Sequence, residues 1–80
     1  MSQFHILVYQ LGQHINNTRK TANDLFKTTE DLKKVIDTID DKDLSFELTV
    51  CYAKLLVSVN QLNTVADNTE KELHKLLWWF

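Results

Sequence analysis

The chain has 80 residues and a formal charge of −2, with nine Lys and Arg against eleven Asp and Glu. That length allows one domain with a thin core, and the mixed charge excludes a strong electrostatic field for nucleic acid. A single glycine and no proline exclude a loop-rich chain, and a single cysteine excludes an internal disulfide.

Ser2 opens the first element, because its hydroxyl suits an orphan amide at a helix start. An apolar ladder then runs Phe4, Val8, Leu11, Ile15, Thr18, Ala22, Leu25, Thr29, Leu32, Ile36, Ile39. Its steps alternate four and three, which keeps one seam facing a partner helix. The spacing predicts a helix over about 3–39. Gly12 falls inside it, at about 1 kcal/mol less favourable than alanine, and is tolerable where a bulky neighbour needs room. The run Ile6–Tyr9 is too short to cross a bilayer, and no charged segment precedes it as in a secretory signal. A cytoplasmic setting is therefore expected.

Asp40-Asp41-Lys42-Asp43 breaks the pattern, since aspartate competes for local backbone bonds. A turn is expected over about 40–43, with Asp43 or Ser45 capping a second helix over about 44–79. The second ladder reads Leu44, Leu48, Cys51, Leu55, Ser58, Leu62, Val65, Thr69, then Leu73 and Leu76 with the phase slipping by one. On this phase Cys51 is a small buried hydrophobe rather than a reactive thiol. The ladders match end to end, so antiparallel pairing sets residues whose numbers sum to about 83 opposite each other. The expected fold is all-α, an antiparallel two-helix hairpin of coiled-coil type. Dimerisation or a partner's helices would complete a four-helix bundle.

The second helix is apolar beyond its ladder. Tyr52, Leu56, Val59 and Ala66 form a further stripe, read as a second interface because exposed aliphatic area of this size marks association. At the open end of the hairpin, Phe4, Leu7 and Tyr9 meet Leu77, Trp78, Trp79 and Phe80. Aromatic side chains concentrate binding energy at protein contacts. The partner-binding set is thus Phe4, Leu7, Tyr9, Tyr52, Leu56, Val59, Leu77, Trp78, Trp79 and Phe80. A solvated face accounts for the Asn and Gln residues clustered toward the same end, such as Gln13, Asn16, Asn60 and Gln61.

No catalytic, cofactor or metal signature is present. His5, His14 and His74 are too scattered for a zinc shell, and the acidic residues lack a calcium-loop spacing. There is no glycine-rich phosphate loop, and Arg19-Lys20 and Lys33-Lys34 are isolated pairs. The expected function is a non-enzymatic protein–protein interaction module, a small adaptor, chaperone or inhibitor bound to itself or to another helical protein. A nucleic-acid-binding regulator built as a hairpin dimer is the alternative, as is a membrane-surface protein anchored by Trp78–Phe80. Shape alone does not choose among them.

Overall fold

A computed structural model describes residues 2–79. Helix α1 spans Gln3–Ile36 and helix α2 spans Lys42–Trp79, packed antiparallel along their lengths. The described residues contain no strand. The rod measures 59 × 17 × 13 Å with a radius of gyration of 18.1 Å. A globular chain of this length would have a radius of about 12 Å.

Ser2 caps α1 as its position suggests. Its Oγ accepts from the His5 amide at 3.3 Å and lies 2.9 Å from the His5 Nδ1. Lys33 and Lys34 occupy the last turn, where the helix dipole favours positive charge. The helix stops three residues before the expected Ile39. There the amides of Thr38 and Ile39 bond three residues back, to the carbonyls of Val35 and Ile36. The Thr38 hydroxyl also donates to the Val35 carbonyl at 2.7 Å. These tighter bonds use up the carbonyls that further α-helix would need.

The second helix starts earlier than expected, and Asp41 caps it rather than Asp43 or Ser45. One Asp41 carboxylate oxygen accepts from the amides of Asp43 and Leu44, at 3.0 and 3.2 Å. Asp43 sits in the first turn, where its charge meets the positive end of the dipole. The link between helices is therefore 37–41, with no positive backbone φ among the described residues.

Every ladder position of α1 is buried or half-buried, and Ile15, Ala22, Thr29 and Ile36 form its innermost set. Ala22 and Thr29 are 0% exposed. Small side chains let two backbones approach closely. The Thr29 hydroxyl is satisfied within its own helix, donating to the Leu25 carbonyl at 2.7 Å, so its burial leaves no orphan polar atom.

On α2 the seam takes a different phase from the one the sequence suggested. It runs Ser45, Leu48, Tyr52, Leu55, Val59, Leu62, Ala66, Thr69, Leu73, Leu76, all buried or half-buried. The alternation of three and four is unbroken, so the phase slip disappears. Leu44, Cys51 and Val65 are exposed, and Val59 and Ala66 are buried instead. The choice matters because α2 is apolar at almost every angle between Leu44 and Val59. Only the phase that continues cleanly to Leu76 keeps a seam against α1 over the full length.

Gly12 occupies open space: a Cβ there would meet nothing within 4 Å. No bulky neighbour in the hairpin needs its room, contrary to the expectation.

Candidate interaction surfaces

The hairpin leaves three apolar surfaces uncovered, and each follows from where the seam falls. With 3.6 residues per turn, a second ladder can stand about 180° from the first. On α2 that position holds Phe46, Val50, Ala53, Val57, Asn60 and Thr64, again spaced four and three. All six are exposed, Phe46 to 70%. Val57, Asn60, Gln61, Thr64 and Val65 line a shallow apolar depression of about 520 Å³ on this face. The equivalent back of α1 is polar from Gln10 to Lys27, with Gln10, Gln13, Asn17, Lys20, Asp24 and Lys27 all exposed. The back of α2 is thus apolar along its first half, whereas the back of α1 is apolar only near its ends, at Ile6, Tyr9 and Val35.

The second interface was expected on Tyr52, Leu56, Val59 and Ala66. Those residues do not form a free stripe. Val59 and Ala66 are in the core, and Tyr52 and Leu56 are half-buried beside it. The surplus of apolar residues in α2 was legible, but it faces the opposite way, through Phe46, Val50 and Val57. The signal was present as a second four-three ladder in the same stretch.

The open end is the second surface. Trp78 is 90% exposed and Trp79 is 86% exposed. They do not fold over the tip to close it. Leu7, Tyr9 and Leu77 are also exposed, whereas Phe4 is half-buried and its ring lies 5.9 Å from the His5 ring. Phe80, also expected here, lies outside the described residues. Tyr9 is steadied by Gln13, whose Nε2 donates to the phenolic oxygen at 2.9 Å. Ile6, Tyr9, Gln10 and Gln13 enclose a third surface, a depression of about 420 Å³ on the back of α1.

Electrostatics fix the hairpin more than they mark a site. Arg19 of α1 bonds Asp67 of α2 at 3.1 Å and pairs with Glu70 through its other terminal nitrogen. Its pKa is raised by the hydrogen bond to Glu70 first and that to Asp67 second. Pairing at a sum of 83 would set Arg19 opposite position 64; its carboxylate partners lie about one to two turns further on, toward the open end. The other described ion pairs, Asp31–Lys34 and Glu72–Lys75, stay within one helix. Among the described residues no three His, Cys, Asp or Glu converge as a metal shell would require. Nor is any helix among them long and apolar enough to cross a membrane.

Comparisons with protein-family models, with curated proteins and with solved structures find no match to this chain.

Proposed function

We propose that the protein is a non-enzymatic interaction module, a small helical adaptor, chaperone or inhibitor that captures another protein through the open end of its hairpin. The observation that carries this reading is the pair Trp78 and Trp79, almost fully exposed at the same end of the rod as the exposed Leu7, Tyr9 and Leu77. Large aromatic groups held in water forgo burial worth roughly 25 cal/mol per Å². On a folded helix they form a binding edge of amphipathic rings, the residue type that dominates contact energies. A lone exposed thiol at Cys51 suits a reducing cytoplasmic setting, which we adopt as part of the same reading. The charge of −2 gives nucleic acid little hold.

The test is affinity capture from the native host with the wild-type chain and with Trp78→Ala/Trp79→Ala. A protein retained by the first and lost by the second supports the reading. Equal capture by both, or binding to anionic lipid vesicles in place of protein, overturns it.

A further inference from the structure

The back of α2 is a different surface from the aromatic end, and its residues carry more than exposure. We propose that it is a homodimer interface, in which two copies pack α2 against α2 antiparallel about a two-fold axis near residue 55. The inference does not depend on what the aromatic end binds.

Self-complementarity identifies the occupant. A two-fold axis at 55 sets each position opposite the one whose number completes 110. Phe46 then faces Thr64 of the second copy, Val50 faces Asn60, and Ala53 faces Val57. Each pairing matches a larger side chain with a smaller or polar one. The ring of Phe46 arrives over the depression lined by Val57, Asn60, Gln61, Thr64 and Val65. Parallel packing would instead press Phe46 on Phe46 and leave both depressions empty. Isologous contacts of this kind, where i meets j and j meets i, are the usual basis of two-fold dimers.

Charge supports the same register. On one rim Lys42 comes beside Asp67 of the second copy, and the symmetry makes that pair twice. Asp67 keeps 65% of its side chain exposed while bonded to Arg19, so it has an oxygen free for a second cation. On the other rim the two Lys54 ammonium groups approach near the axis. That repulsion is screened by salt.

Area points the same way. The hairpin exposes 6464 Å². A compact monomer of 9.4 kDa exposes about 5,000 Å². The excess of about 1,500 Å² per chain is larger than the roughly 800 Å² that each partner of a standard interface buries, so the rod has surface to spare for one. The back of α1, polar from Gln10 to Lys27, fits the same arrangement. In a dimer joined through α2 the helices lie in a row, α1 outermost on both sides with its polar face to water. This arrangement is a four-helix layer rather than a square bundle.

Sedimentation equilibrium of the full chain tests the proposal, with circular dichroism to confirm helix content in each variant. The wild type should be a dimer at about 10 μM. Val57→Asp should be a helical monomer. Phe46→Thr should weaken the dimer about tenfold, and adding Thr64→Phe should restore it, because the swap rebuilds the same pair. A wild-type monomer at that concentration, meaning another protein covers the face, overturns the proposal. So does a dimer that survives Val57→Asp, or one lost only when Trp78 and Trp79 are replaced. Should Val57→Asp fail to fold, Lys54→Ala serves in its place: it should tighten the dimer at low salt, and no change refutes the register.

Discussion

The Arg19 guanidinium donates to the Asp67 carboxylate at 3.1 Å, and among the described residues the ion pairs that join the two helices all start from Arg19. The seam around it is built of small residues, Thr18 and Ala22 on α1 and Ala66 and Thr69 on α2. Small residues pack in several registers with little difference in energy, so an oriented pair beside them has the task of choosing one. Replacing Arg19 with Met keeps the stem and removes the charge. Its expected effect is a lower denaturant midpoint in low salt, smaller than that of a buried leucine or isoleucine truncation. The difference should fade in high salt, where exposed pairs are screened. The guanidinium's pKa is raised, so its contribution is complete below its ordinary value and is lost only as pH climbs through the raised one. Across working pH the pairing should therefore show no dependence on Arg19 titration. A difference between Arg19→Met and wild type that persists in concentrated salt would show that packing, not charge, had been lost.

The seam phase has its own test. Ile15→Ala and Ile36→Ala remove buried side chains and should each cost about 2–5 kcal/mol in urea titrations. Leu44→Ala removes a residue nearly half exposed and should stay within about 0.5 kcal/mol. Cys51 should react with a thiol reagent in the folded protein at nearly its unfolded rate. A protected Cys51 together with a costly Leu44→Ala would restore the other phase of α2.

These experiments touch what was and was not legible in the sequence. The first ladder reads directly, because α1 mixes apolar and polar residues and only one phase is apolar throughout. Between Leu44 and Val59 the second helix offers apolar residues in almost every direction, broken only along Glu47, Lys54 and Ser58. Local spacing then fits the seam, its flank and its back equally well. The choice is made far away, where Leu73 and Leu76 continue one phase without a slip and break the other. The two helix ends at the turn were placed two or three residues from where they fall, while the outer ends fall at 3 and 79 as expected. Thr38 and Asp41 act through single side-chain bonds to backbone, and such bonds do not show in a hydrophobic period. The open end was legible as composition but not as geometry, since the same aromatic residues could have closed the tip.

Gly12 lies in the middle of α1 with open space where a Cβ would stand. Alanine there gains helix propensity and meets no neighbour. Gly12→Ala should raise stability by about 1 kcal/mol. Thermal and urea unfolding should agree on that sign. A destabilised variant would mean that a second molecule packs on Gly12, and sedimentation of the variant would then reveal a weakened assembly.

The aromatic end gives the last prediction. Trp78 and Trp79 lie beyond the stretch of α2 that the dimer register covers, which ends near position 68. Their emission should therefore be water-like in the free chain and should stay so when the hairpins dimerise. A blue shift should come only with the captured protein, as the rings leave water. Deleting Trp78–Phe80 should leave helix content nearly unchanged, because the seam from Ile15 to Ala66 is intact. The same deletion should weaken capture at least about tenfold, or about 1.4 kcal/mol, while sedimentation still reports a dimer. If instead the tryptophans are already blue-shifted in the dimer, the open end is part of the self-association surface. Water-like emission in the captured complex, with capture unchanged by the deletion, would leave the three rings as a solvent-exposed tail.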